Sequence, residues 1–241
     1  MHGGSITFAR CESPAHPSFL EPKPSTGDNH VCDRSVKIIS VNVGEPREVS
    51  WLGRTVMTGI FKDPVHHPVM LRTLNLEGDA QADLSVHGGA AKAVYAYPGE
   101  HYGFWRGELP GMELPWGIFG ENFTTAGLNE ETVHAGDRFR IGEAEVIVTQ
   151  PRLPCFKLGI RFRRDDMVAK FLESRRTGFY MAVLRGGMAA AGDGIELLQA
   201  DPERVSIADL VRMHVTEEED PELLRRARKI GALPESWKKS M

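Results

Sequence analysis

From Val36 onward the sequence consists mainly of short segments rich in β-branched residues, and turn residues separate each segment from the next. Segments of this kind form strands, and pairs such as Gly136-Asp137 mark the turns between them. The sequence therefore predicts a β-rich body. The predicted strands cover residues 36–43, 54–61, 93–97, 138–141, 143–150, 179–184 and 194–199.

Helical signals are fewer and lie mostly late in the chain. Pro98 is predicted to open a helix that reaches Trp105, because the N–H groups of a first helical turn have no partners and proline lacks one. Further helices are predicted after Asp165, after Ser206 and after Asp220. In each case a capping residue precedes apolar residues that share one helical face.

Three regions follow from these patterns. Residues 1–33 are rich in Pro, His, Ser and Gly without apolar periodicity, which predicts a flexible leader. Residues 34–200 form the β-rich body, and residues 201–241 form a helical extension. The apolar residues of this extension, including Leu223, Leu224 and Ile230, can cover either the body or a partner subunit, so a homodimer is possible.

Composition excludes several functional classes. The 29 basic and 33 acidic side chains give a net charge of −4 and no basic face, which argues against binding a nucleic-acid polymer. No segment reaches the roughly 18 apolar residues of a membrane helix, and no signal peptide is evident, so we expect a cytoplasmic protein that does not bind membranes. Three cysteines indicate neither a disulfide framework nor an iron–sulfur cluster.

The segment around Cys155 carries the strongest chemical signal. Pro151 and Pro154 keep the chain before Cys155 extended, so the thiol follows a strand on a stiff segment. Arg152 and Lys157 lie near it in sequence, and in an extended chain Lys157 falls on the same side as the sulfur. A nearby cation favours the thiolate, which serves as a nucleophile or a soft-metal ligand. A small buried apolar role for Cys155 is an equally common alternative.

A second candidate is the glycine pair at 88–89. Gly88 and Gly89 follow His87 and precede Lys92, so backbone N–H groups and an ammonium group can meet a phosphate. The segment lacks the Walker and dinucleotide-binding patterns. A plain glycine turn with an exposed lysine is the commoner interpretation of such a segment.

The third candidate is the polar segment 119–125, in which Glu121 and Asn122 can bind the donors and acceptors of a heterocycle. A local Asx or Thr turn is the alternative. His66 and His67 are adjacent, and neighbouring strand residues point to opposite faces, so a shared metal ion is not expected.

The order of these segments resembles the MOSC domain, and within it the YiiM-like branch that carries a C-terminal three-helix extension. The resemblance rests on Val-His-Gly-Gly at 86–89 with Lys92, Phe-Gly-Glu-Asn at 119–122, and Thr-Gln-Pro-Arg at 149–152 followed by Pro-Cys-Phe-Lys-Leu at 154–158. It covers the chain from Val36 to the C-terminus. One departure is Ala90-Ala91, where a proline and a polar residue are common.

The resemblance implies a β-rich α+β fold with a β-barrel body that binds molybdenum cofactor (Mo-molybdopterin) rather than pyridoxal phosphate. Cys155 would be the protein ligand to the metal. The remaining implied site residues surround the cofactor's phosphate and pterin: Arg152, Lys157, Lys92, Gly88 and Gly89 for the phosphate, and His87, Glu121 and Asn122 for the pterin or the metal's oxygen ligands.

The implied activity is the reduction of N-hydroxylated compounds, such as hydroxylaminopurines, to amines, a detoxification. Glu121 or His87 would supply protons. Because no flavin or dinucleotide pattern occurs, electrons would come from an external flavin or iron–sulfur reductase. Two alternatives remain: a persulfide carrier acting through Cys155, and a cofactor carrier without turnover.

Overall fold

A computed structural model describes residues 35–82, 88–216 and 220–240. The predicted leader, with Cys11 and Cys32, lies outside the described residues, and so does His87. Twelve strands and six helices are described, in the order β1 (Lys37–Val43), β2 (Arg47–Trp51), β3 (Arg54–Thr58), β4 (Asp63–Val65), β5 (Val69–Leu71), β6 (Val94–Pro98), α1 (His101–Glu108), β7 (Phe123–Ala126), β8 (Arg138–Ile141), β9 (Ala144–Pro151), α2 (Phe156–Phe162), α3 (Met167–Ser174), β10 (Phe179–Arg185), β11 (Gly187–Ala189), β12 (Ile195–Gln199), α4 (Ile207–Val215), α5 (Pro221–Lys229) and α6 (Glu235–Ser240).

Eight strands form one mixed sheet in the order β12-β8-β9-β10-β6-β7-β1-β4. Its pairs are antiparallel except β6 and β7, which are parallel. Two small two-stranded sheets, β2–β3 and β5–β11, lie beside it. The predicted β-rich α+β fold, with a strand-rich body followed by helices, is confirmed.

The barrel expected from the family resemblance is not closed by a full strand pair. One bridge, Lys37 with Gly194, joins the start of β12 to β1. Its hydrogen bonds run from Ile38 N–H to Asp193 O at 3.0 Å and from Ile195 N–H to Val36 O at 2.8 Å. Residues 41–43 of β1 pair with β4 instead, which leaves only the beginning of β1 for β12.

Two groups of buried side chains hold the body together. The larger lies inside the sheet and includes the alternate residues Ala144, Val146 and Val148 of β9. The smaller is largely aromatic and lies between β6, α1, α2 and α3. Within it, Trp105 Nε1–H donates to the Tyr97 hydroxyl at 2.6 Å, so the polar atoms of both rings are satisfied in the interior. This aromatic group fixes α2, which follows Cys155.

The helices after β12 complete the larger core. A capping box between Ser206 and Asp209 begins α4, and the Asp220 side chain caps α5, as predicted. Leu223 and Ile230 are buried in the same core as the sheet. The apolar face of the extension therefore covers the body of its own chain.

Several predicted elements have different boundaries. Pro98 ends β6 instead of opening a helix, and α1 begins at His101, because residues 94–98 are buried in the sheet. The strand from Arg54 ends at Thr58. Seven elements were not predicted: β2, β4, β5, β7, β11, α2 and α6. No helix in the described ranges has the length and apolar character to span a membrane.

Replacing Leu223 by Ala should lower the free energy of unfolding by about 3 kcal/mol, because a buried leucine loses its contacts and leaves a cavity. Urea unfolding followed by circular dichroism measures the loss. Leu224→Ala is the matched control: the neighbouring leucine is only half-buried, so its loss should cost about 1 kcal/mol or less. Equal losses would show that α5 does not bury one face against the body.

Candidate functional site

Cys155 lies where the chain leaves the sheet and enters a helix. The backbone at Cys155 is extended, as predicted, with φ −130° and ψ 175°. Cys155 is the N-cap of α2, and its carbonyl accepts a hydrogen bond from Leu158 N–H at 2.9 Å. The prediction that the extended chain continues to Lys157 is wrong. Lys157 lies in the first helical turn instead.

A cleft opens beside Cys155. The segments 58–62, 79–82, 92–95, 119–122 and 152–157 contribute to its walls, together with Tyr180 of β10. Its polar and charged lining residues are Thr58, Lys62, Asp79, Gln81, Lys92, Tyr95, Asn122, Arg152, Cys155, Lys157 and Tyr180. Five predicted site residues therefore meet in one cleft: Lys92, Asn122, Arg152, Cys155 and Lys157.

We call Lys92, Arg152 and Lys157 the cationic set. Arg152 is only 5% exposed, and its guanidinium lies 5.5 Å from the Tyr95 ring centroid and 5.0 Å from that of Phe171. Its Nη1 atom is buried and has no hydrogen-bond partner among the described residues. Buried polar nitrogens are normally paired, so this atom marks a place where a ligand acceptor would be stabilised.

Lys92 and Cys155 influence each other electrostatically. Burial lowers the pKa of the Lys92 ammonium group, and the negative charge of Cys155 opposes that shift. Burial lowers the pKa of the Arg152 guanidinium, but negative charge on Tyr95, Tyr180 and Cys155 outweighs it, so the pKa is raised. The sulfur therefore lies in an electropositive part of the cleft, the kind of environment that favours a thiolate.

We call Lys62, Asp79 and Asn122 the paired set. Lys62 and Asp79 are both buried and form an ion pair. Asp79 Oδ1 also accepts from Gly44 N–H at 3.0 Å, and Asp79 Oδ2 accepts from Asn122 Nδ2 at 2.9 Å. Asn122 Oδ1 in turn accepts from Tyr95 N–H at 3.0 Å. This network places an opposite-charge pair in the wall of the cleft.

Lys62, Asp79, Gln81 and Tyr180 line the cleft but were not among the predicted site residues. Asp79 and Gln81 belong to the segment Gly78–Asp83, which is separated by four residues from the glycine pair, and this proximity is their local signal. Lys62 has no such signal, because it lies in the connection between β3 and β4 and meets Asp79 only in the folded chain. His66 and His67 are exposed in the bend between β4 and β5, away from the cleft lining.

The structure does not place Glu121 in the cleft. Its side chain is fully buried, and Oε1 accepts from the Tyr102 hydroxyl, from Gly117 N–H at 2.9 Å and from Thr124 Oγ1–H at 2.9 Å. Oε2 accepts from Phe119 N–H at 3.1 Å. Burial raises the pKa of Glu121, and these donors oppose the shift. The carboxyl group thus ties a loop to β7.

Gly117 explains why this loop can turn inward. Its φ of +83° is a left-handed conformation, and a Cβ atom there would lie 2.8 Å from the backbone oxygen of Lys62. Only glycine allows this approach without a shift of the neighbouring chain. The loop that looked like a ligand-binding turn in the sequence is therefore packed against the segment that carries Lys62.

The glycine pair lies next to the cleft lining instead of within it. Gly89 has φ +93°, and its N–H donates to Gln81 Oε1 at 2.9 Å. Gln81 Nε2 donates to the Lys92 carbonyl at 3.0 Å. Gln81 therefore uses the Gly89 N–H that the sequence suggested for a phosphate, and it holds the turn that presents Lys92.

No group of three His, Cys, Asp or Glu side chains that could hold a metal ion occurs in the described part of the chain. The Mo-molybdopterin implied by the family resemblance would bring metal ligands of its own, since its dithiolene supplies two sulfurs. The soft thiol, the cationic set and the unpaired Arg152 nitrogen fit such an anionic cofactor.

Comparisons with known proteins indicate a single family for this chain. The family model described as "MOSC domain" matches residues 83–196. The "Uncharacterized protein YflK" of Bacillus subtilis strain 168 is 42% identical over 203 residues, which are 84% of this chain and 91% of that protein. A "Reductase" of Gibberella moniliformis is 33% identical over 165 residues, 67% of this chain but 29% of that longer protein.

Solved structures agree with the sequence comparisons. The crystal structure of YiiM from Geobacillus stearothermophilus superposes with a TM-score of 0.71 at 32% sequence identity. The match covers 85% of this chain and 96% of that one. Nearly the whole of that fold is therefore present here, including the region beyond the family model.

Replacing Glu121 by Gln should lower the free energy of unfolding by about 2 kcal/mol, because an amide N–H₂ then faces a buried donor. Urea unfolding measures this loss. Glu131→Gln, at an exposed position in the next loop, is the control and should change stability by less than about 0.5 kcal/mol. Unchanged stability in Glu121→Gln would contradict a structural role for this carboxyl group.

Proposed function

The chain belongs to the MOSC-domain family as a YiiM-like member, and on this premise we propose that it is a molybdenum-cofactor-dependent reductase of N-hydroxylated compounds. One observation carries the proposal. Cys155 lines a cleft together with three lysines and the buried Arg152, whose Nη1 has no hydrogen-bond partner among the described residues. A soft ligand beside basic side chains suits a thiolate-bound metal with an anionic organic ligand.

Individual residues would hold different parts of the cofactor. Cys155 would bind the metal, and the cationic set would bind the phosphate. Asn122 lines the cleft and would face the pterin. Gly88 and Gly89 would act indirectly, by shaping the turn that carries Lys92. His87 remains a proposed proton donor. When bound, the cofactor would supply the two-electron redox chemistry.

The proposed reaction converts a hydroxylamine, R–NHOH, with two electrons and two protons into an amine, R–NH₂, and water. The N–O bond breaks, and the nitrogen is reduced. An external flavin or iron–sulfur reductase would supply the electrons, and the reaction would take place in the cytoplasm. The names of the relatives support an oxidoreductase only in general terms, through the "Reductase" of Gibberella moniliformis.

Side chains of the cleft would orient the bound groups and exclude water on one side. The Tyr95 and Tyr180 rings lie with centroids 5.2 Å apart, and Tyr95 OH donates to Thr177 O at 2.8 Å. This hydrogen bond and the burial of Tyr95 fix the ring against Arg152. The guanidinium is thereby held in place before any ligand arrives, which lowers the entropic cost of binding.

Replacing Cys155 by Ala should reduce the molybdenum content of protein from a molybdenum-replete host to background, because the metal loses its protein ligand. Reduction of a hydroxylamine with an artificial electron donor should fall in parallel. Elemental analysis and product assays measure the two effects, and thermal unfolding verifies the fold. Cys32→Ala is the control and should retain both properties.

Full molybdenum content and full activity in Cys155→Ala would show that the proposed ligand is wrong. Protein without molybdenum but with a sulfane sulfur on Cys155 would contradict the reductase and indicate the persulfide carrier. Stoichiometric molybdenum without turnover of any hydroxylamine would indicate a cofactor carrier.

A further inference from the structure

The paired set offers hydrogen-bonding capacity that the described residues do not use. An ammonium group has three donors, and among the described residues Lys62 Nζ bonds only to Asp79. Asp79 Oδ1 already accepts from Lys62 and Gly44, whereas Oδ2 accepts only from Asn122. One carboxylate oxygen and one ammonium group in the cleft wall thus each retain free capacity.

Charge restricts what can use this capacity. Lys62 and Asp79 sum to zero, so an anion would be repelled by the carboxylate and a cation by the ammonium group. An uncharged group with a donor beside an acceptor satisfies both residues. The cationic set places three basic side chains around the Cys155 sulfur, and Arg152 Nη1, which has no hydrogen-bond partner among the described residues, suits an anionic acceptor. The two sets therefore select different chemistry within one cleft.

We propose that the paired set binds the lactam edge of a pterin, with the ring carbonyl accepting from Lys62 Nζ and the adjacent ring N–H donating to Asp79 Oδ2. The lactam is neutral and presents a donor next to an acceptor. The cationic set is then left for the phosphate. This inference rests on the proposed function, because the pterin considered is that of the molybdenum cofactor.

Hydrogen bonds within the protein hold Asp79 and Asn122 in place without a ligand. Asp79 is fixed by the Gly44 N–H, and Asn122 is fixed by the Tyr95 N–H and by Asp79. Buried polar groups held from several sides keep their geometry when a ligand is absent. A site of this kind discriminates strongly against ligands that leave its buried charges without partners.

The test uses the full chain purified from a host that cannot make the cofactor. Two probes are titrated: uncharged pterin, followed by its fluorescence, and inorganic phosphate, followed by calorimetry. Lys62→Met should weaken pterin binding by about tenfold or more, since it removes a charged hydrogen-bond donor. Its phosphate affinity should stay within about twofold. Lys157→Met is the matched control from the cationic set. It should weaken phosphate binding and leave the pterin affinity nearly unchanged.

Lys62→Met leaves a buried carboxylate without its partner and can therefore fail to fold. The double variant Lys62→Met/Asp79→Asn removes both charges together. It should fold, and it should lose pterin binding to the same extent as Lys62→Met. Absence of pterin binding to the unaltered protein would overturn the inference. So would a Lys62→Met variant that loses phosphate but keeps pterin, because Lys62 would then belong to the cationic set.

The outcomes separate this inference from the proposed function. If protein from a molybdenum-replete host lacks metal and reductase activity but the cofactor-free chain binds pterin through Lys62, only the proposed function fails. If protein from the molybdenum-replete host contains molybdenum and reduces hydroxylamines, but the cofactor-free Lys62→Met variant binds pterin normally, only this inference fails.

Discussion

The carboxyl group of Asp79 joins three segments that are far apart in sequence. It accepts hydrogen bonds from Gly44 after β1, from Lys62 before β4 and from Asn122 before β7. The main sheet already brings these three segments together, because β1 pairs with β4 at Val43–Asp63 and with β7 at Val41–Phe123. A buried ionised carboxyl group requires such partners, because its desolvation is otherwise prohibitive. Asp79 thus ties the loop after β5 to the edge of the sheet, where Lys62, Asp79 and Asn122 line one wall of the cleft.

The other wall is built by a different principle. The strand β9 ends at Pro151 and α2 starts after Cys155, so Arg152 and Cys155 lie in a strand-to-helix connection and Lys157 lies in the first turn of α2. The rings of Tyr95 and Phe171 lie within about 5.5 Å of the Arg152 guanidinium, which forms no ion pair among the described residues. One wall thus contains an internal ion pair, and the other presents a buried guanidinium to a ligand.

The sequence predicts the long strands and the capped helices well, because their signals are local. The alternation in β9 and the capping residue Ser206 needed no tertiary information. Strands of three residues, such as β5, carry too little periodicity to be recognised. The helix α2 was missed because the prolines before Cys155 dominate the local pattern and Gly159 weakens the helical signal within it.

The sequence allowed site residues to be predicted when they lie close together in one segment of the chain. Cys155, Arg152 and Lys157 lie within six positions and meet in the cleft. Glu121 looked equally functional, yet glycine-dependent turns direct it into the interior, which composition does not reveal. Lys62 became visible only through its contact with Asp79. Long-range pairing decides such roles, and a single sequence does not encode it in any local pattern.

The buried Arg152 guanidinium has a consequence for the stability of the whole molecule. Folding removes its Nη1 atom from water without giving it a hydrogen-bond partner among the described residues, which costs free energy in the ligand-free native state. An anionic ligand that binds only the folded chain would supply the missing acceptor and add its own binding free energy, about 2.7 kcal/mol at a hundredfold excess over its Kd. Occupancy of the cleft and unfolding of the chain are therefore linked equilibria.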